Sequence, residues 1–431
     1  MENQQVTLNT PSNLEIARAF SVSEGTIRNK KKNDMNEYLD LLKQYRLEKT
    51  PFVPLDDYNS FYNKNYTVDD IVSQKIPGLL TKSNDGLIPA IYDKIKDGIN
   101  LVKQQNGCTV ISFANFKGGV GKTTSTVNIA TSLAYHGAKV LIVDFDTQGN
   151  TTSLFNINRK KRSREVDLKE NRLEVLYDLE NADYKYTIID LLVDVENKNI
   201  KNMVKEGVVN LNDKAGIPTI GRLDILPNSS DYENINKSEQ IENYLNVYGN
   251  INRALDDILS HIKDDYDFIL IDTPPTIKLE LRMSVMASDY FIIILTPDKM
   301  AKDGIEPFLA PIERHRDVYK REKGKDICIL NAILNKFQVN SVVQNANKEI
   351  IDEDLFVTTT NSSLGNSKLY NTIIRLDNML IEAQFETGSA LFYKPMHNLV
   401  RNYFDLTDEI LDDILSHTIS IQSQKEQRWM N

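Results

Sequence analysis

Apolar residues in this chain gather in short continuous runs at 108–114, 139–145, 268–271, 291–296 and 327–334, while the stretches between them carry helical spacing, as at 123–135. Runs of strand length with no polar alternation predict strands buried on both faces, as in parallel sheets whose crossovers are helices. A further run at 223–227 adds a strand and 186–194 a short helix, so the reading is α/β: a doubly wound, mostly parallel sheet. In such a sheet a ligand sits at the carboxyl ends of the strands.

Upstream the pattern changes. Residues 13–32 predict a short helix with Leu14, Ile16, Ala17 and Phe20 apolar, a turn at 21–23, and a second helix that Ser23 can cap. Glu24, Arg28 and Asn29 lie where a recognition helix could meet base edges, and Lys30, Lys31 and Lys32 suit phosphates. Such a pair reads DNA or is purely structural, and Gly25 is awkward in the first role. Helical spacing returns at 36–47 and 88–102, with a proline-containing loop at 51–54. The chain therefore divides into a helical region with a helix-turn-helix (1–50), a helical linker (51–105) and the α/β part (106–431).

The first run of the α/β part leads into Lys117-Gly118-Gly119-Val120-Gly121-Lys122-Thr123-Thr124 and then a helix. This strand, loop, helix context is what a phosphate-binding loop needs. The glycines let successive N–H groups face a phosphate, and the helix adds its positive end. Lys122 is placed to neutralise β- and γ-phosphates, and the Thr123 hydroxyl to ligate Mg2+. The second run ends in Asp144-Phe145-Asp146-Thr147-Gln148-Gly149-Asn150. The third ends at Asp272-Thr273-Pro274-Pro275, where a carboxylate at a strand end can hold magnesium through its water shell.

The octapeptide, with its additional Lys117, resembles the deviant Walker ATPases, and the Asp144 to Asn150 segment resembles the ParA group of chromosome and plasmid partition ATPases. The resemblance covers most of the chain, and the N-terminal extension is similar to that of the long-chain subgroup. It implies ATP and Mg2+ as cofactors and a homodimer in which Lys117 reaches the partner's nucleotide. It also implies a water-positioning role for Asp146, nonspecific DNA as a binding partner, and a centromere-binding, ParB-like protein that stimulates hydrolysis. The N-terminal module would bind the protein's own operator, and the chain would work in the cytoplasm on the nucleoid. Asn335 reads the adenine edge in this picture, or merely serves strand-end turn chemistry. The stretch 372–392 is similar to the family's segment near the nucleotide, but Met379 stands where shorter members carry an arginine, with Arg375 and Lys368 as nearby substitutes.

Composition narrows the alternatives. A 431-residue chain with 41% apolar residues can bury a large core in more than one domain. A net charge of −10 excludes a uniformly basic nucleic-acid coat, so DNA contacts must be local. Besides Lys30 to Lys32, residues 159–164 offer either such a patch or a solvated loop. Cys108 and Cys328 each fall inside an apolar run and are expected as buried core thiols, without metal-binding spacing. No run is long enough to span a membrane, and the acidic residues at 405–431 argue against a basic lipid-binding tail like that of division-site regulators. The remaining rival is a repressor that uses ATP only as a ligand.

Overall fold

The computed structural model describes residues 87–155, 157, 161–167, 172–177, 187–193, 200–208, 221–228, 251–276, 279–324, 326–338, 341–393 and 398–430. The helix-turn-helix segment and the helix expected at 36–47 lie outside the described residues. The described residues from Ile91 onward belong to one compact unit, which holds the sheet and the site.

The elements run α1 (Leu87–Asn106), β1 (Thr109–Ala114), α2 (Lys122–Tyr135), β2 (Lys139–Asp144), α3 (Asn150–Leu154), β3 (Lys161–Asp167), β4 (Arg172–Tyr177), α4 (Ile188–Val193) and β5 (Arg222–Leu226). They continue with α5 (Ala254–Ser260), β6 (Phe268–Asp272), α6 (Leu279–Ala287), β7 (Tyr290–Leu295), α7 (Lys299–Lys323), β8 (Cys328–Ile329), β9 (Ile333–Leu334), α8 (Val342–Asn361), α9 (Asn378–Glu386), α10 (Ala390–Tyr393) and α11 (Asn398–Met430). Seven strands make the main sheet in the order β5-β2-β6-β1-β7-β8, with β9 also on β7. Every pairing in it is parallel, as the continuous apolar runs require.

One core packs Val110, Leu141, Val143, Ile269 and Ile271 against α4, α5 and α6. Alternate residues Ile111, Phe113, Ile142 and Leu270 are equally buried, and α2 packs on the sheet with α11 outside it. A second core joins β7 to α7 and α8 through Phe291, Ile293, Leu295, Ile312, Ile351 and Leu355.

The structure corrects three sequence expectations. The run 327–334 is not one strand: Ala332 in its middle gives its N–H to Lys368 O (2.7 Å) and accepts from Tyr370 N (2.9 Å), so two short strands flank a link to another segment. Cys108 precedes β1 and is only half-buried, its thiol pushed up to about 12 by burial and by Asp289 and Asp267, whereas Cys328 is buried in β8. Residues 161–164 belong to β3, which pairs antiparallel with β4, so that end of the basic stretch is strand rather than loop.

The acidic residues of α11 turn back onto the body. Asp408 and Asp412 both accept from Lys94 of α1 (2.5 and 2.9 Å), Asp413 accepts from Asn331 N and Tyr370 OH, and Glu409 accepts from Asn371 N and Thr372 N. Among the described residues no helix is long and apolar enough to cross a membrane.

Candidate nucleotide-binding site

At the carboxyl end of β1 the buried Asn115 fixes the start of the loop. Its Nδ2 donates to Ile294 O (2.6 Å) in β7, and its Oδ1 accepts from Lys117 N (2.8 Å). Gly119 and Gly121 then take φ values of 72° and 93°, the left-handed region open to glycine. Gly121 is required twice over, since a Cβ there would lie 2.0 Å from Asn335 Nδ2. The loop passes directly into α2, whose first-turn N–H groups need an outside acceptor.

Lys122 is 7% exposed, and its Nζ has only a long 3.4 Å contact with Lys117 O. Burial lowers its pKa, against the opposing pull of Asp272 and Asp146. An ammonium desolvated this far is stabilised by an anion brought to it. Asp272, fully buried at the end of β6, accepts from Thr123 Oγ1 and Thr151 Oγ1 through Oδ2, each at 2.7 Å. Its Oδ1 has no partner, and burial raises its pKa to about 6 in spite of both hydroxyls. An unpartnered carboxylate oxygen beside a threonine hydroxyl is a hard-oxygen donor set that fits Mg2+ held through water and phosphate. No cluster of three or more His, Cys, Asp or Glu side chains able to hold a metal occurs among the described residues, so a cage built wholly from protein ligands is not on offer there.

Asp146 follows β2 and is 6% exposed, with Oδ1 accepting from Gln148 N (3.0 Å) and Oδ2 from Asn150 Nδ2 (3.5 Å). Lys117 pairs outside its own loop: its Nζ lies 2.7 Å from Asp298 Oδ2, an oxygen that also accepts from Thr296 Oγ1. Both partners of that ion pair are partly exposed, at 38% and 41%.

Asn335 shows the strand-end turn chemistry that was one of its two expected roles. It is 2% exposed and its amide is committed to the protein, Nδ2 donating to Val120 O (2.9 Å) and Oδ1 accepting from Lys336 N (2.8 Å). Lys336 in turn donates through Nζ to Gly119 O (2.5 Å), so the end of β9 braces the loop. The 372–392 stretch does reach the site: Gln384 Nε2 donates to Thr124 Oγ1 (2.5 Å), and Asn128 Oδ1 accepts from Ser389 Oγ and Ala390 N. Met379 is buried while Arg375 is exposed, so the departure from the family pattern occupies a packed position.

Sequence reasoning missed Asp144, Thr151, Thr152, Asn228 and Asp298. Asp144 is fully buried and its carboxyl is pushed up to about 8 by desolvation and by the neighbouring Asp272. Its position in the Asp144 to Asn150 segment was a usable signal; Asp298 and Asn228 had none, because only the fold brings them here.

A family model described as an AAA domain matches residues 108–325, half of the chain. An uncharacterised protein of Methanocaldococcus jannaschii is 30% identical over 234 residues, covering 54% of this chain and 75% of that one. The sporulation initiation inhibitor protein Soj of Bacillus subtilis is 26% identical over 301 residues, covering 70% and 97%. The chain belongs to this AAA-domain family and is a ParA-type ATPase. Apo McdA of Cyanothece shares the fold at a TM-score of 0.51 and 17% identity, over 70% of this chain and 99% of that one. As a ParA-type ATPase it takes ATP and Mg2+ at the loop whose donors have just been described. There the loop N–H groups and Lys122 could hold the phosphates, and Thr123 and Asp272 the metal.

Proposed function

We propose that this ATPase is a DNA-partition or cargo-positioning protein in which ATP joins two copies, the joined form binds DNA without sequence preference, and hydrolysis releases it. The observation that carries this reading is Lys117, a partly exposed cation at the start of the loop whose ammonium pairs with Asp298. A lysine so placed is suited to reach the γ-phosphate held by a second copy, doing the work of an arginine finger. Lys122 and the N–H groups of Gly118 to Thr124 hold the phosphates, and Asp146 orients the attacking water. Similarity to Soj and to a chromosome-partitioning ATPase supports the partition reading. A ParB-like partner would accelerate turnover, and the N-terminal module would bind the operator. The work would be done on the nucleoid in the cytoplasm.

Binding to random-sequence duplex DNA, measured without nucleotide, with ADP and with ATP-Mg2+, tests the proposal beside Lys117→Ala. Cooperative binding confined to ATP and lost in the variant is expected. Binding indifferent to nucleotide, or restricted to one sequence, would point to a repressor instead. Lys117→Ala should still bind ATP, whereas Lys122→Ala should lose it, and normal turnover by Lys117→Ala would end the trans-lysine mechanism.

A further inference from the structure

Asp146 can orient water only if the turn that carries it is held still, and the turn's own hydrogen bonds are few. Its side chain is met by Gln148 N and by a long contact from Asn150. Its carbonyl is met by Gly149 N (2.9 Å) and, from 82 residues away in the chain, by Asn228 Nδ2 (3.1 Å). Asn228 follows β5 at the sheet edge and is fully buried. Its backbone N–H donates to Thr152 Oγ1 (2.9 Å), and that hydroxyl donates to Asp144 Oδ2 (2.6 Å), which also accepts from Thr152 N (2.8 Å). Thr151, next to Thr152, donates to Asp272. A single buried network thus runs from the end of β5 through α3 to the ends of β2 and β6.

We propose that Asn228 is a positioning residue for hydrolysis, holding the Asp146 turn from both sides by its amide on the Asp146 carbonyl and its N–H on Thr152. The inference rests on the water-positioning reading of Asp146. Asn228 bonds the backbone of that turn and not its carboxylate, so it acts on where the carboxylate stands rather than on the reaction directly. Loosening the turn leaves the backbone of the phosphate loop in place, because Asn115, Asn335 and Lys336 brace that instead. ATP affinity and turnover should therefore separate.

The test measures ATP affinity, with a fluorescent analogue, and kcat in the full-length protein, for Asn228→Ala, Asn228→Asp, Asp146→Ala and Asn228→Ala with Asp146→Ala. The expected result is affinity within about twofold of the parent and kcat down roughly ten- to a hundredfold in both Asn228 variants, the range that misplacement of a reacting group costs. No further loss is expected when Asn228→Ala is added to Asp146→Ala. Asn228→Asp keeps the shape while removing the donor, and gives the answer should Asn228→Ala not fold. Unchanged kcat in a folded Asn228 variant, or affinity and kcat falling together, overturns the proposal while leaving Asp146 its role. Full turnover by Asp146→Ala overturns the role of Asp146 and this inference with it.

Discussion

Gly121 shows how much a single position carries. Gly121→Ala should strain a φ of 93° by about 1–2 kcal/mol and drive a methyl into Asn335. The expected outcome is loss of ATP binding with an unchanged far-UV spectrum and a lower Tm. Asp272→Asn should raise the Mg2+ concentration for half-maximal turnover by roughly tenfold or more, since a neutral amide is a poorer outer partner for the ion. His136 acts on stability alone. Burial lowers its pKa from 6.5 to about 4, so the native state refuses a proton that the unfolded chain accepts. The stability it permits is complete above pH 6.5 and falls as pH drops toward 4, by up to about 3 kcal/mol. Denaturant melts of the parent and His136→Gln at pH 7 and pH 5 check this: the parent should lose more than the variant. The loop and Asp272 could be picked out in the sequence because each stands inside a local motif, whereas Asp144, also at a strand end, was passed over for Asp146 two residues on. Of the two roles the sequence left open for Asn335, the structure shows the strand-end one, and its bond to Val120, 215 positions earlier, had no signal among its sequence neighbours.

Among elements, the strands were legible and their ends less so. Continuous apolar runs located β1, β2, β5, β6 and β7 to within a residue or so, but 327–334 concealed a break, because the hydrogen bonds that cause it come from residues 368–370. Pro307 and Pro311 inside α7 would not have been read as helix interior from their chemistry, yet the helix runs through them. Helix α11 is fastened to the P-loop helix α2 by aromatic packing: Phe404 stacks on Tyr135 at 6.0 Å and meets His136 edge-on at 4.8 Å. Phe404→Ala should cost about 3–5 kcal/mol by denaturant titration. Lys94→Ala, which breaks a half-exposed pair between α1 and α11, should cost under about 1 kcal/mol. A reversed ranking would mean that charge rather than packing holds α11.

For the whole molecule, a net charge of −10 means that DNA affinity must come from local cations, so binding should weaken steeply with salt, by at least ~10-fold between 50 and 200 mM. Salt-independent binding would exclude phosphate neutralisation as its basis. The sheet itself has a consequence for how such chains can vary. Asp144 and Asp272 face each other across β2 and β6 in register, and Asp272 is level with Phe113, where β1 nears its end. The heights of the reacting groups are therefore set by backbone ladders, with the connecting segments free to differ in length. Extra residues in a crossover away from Asp146, α3 and α4 lengthen only a connection, whereas one residue gained or lost inside β2 would shift a carboxylate by a strand step and turn it to the opposite face. Long inserts should thus be tolerated in the crossovers, and single-residue indels refused in the strands.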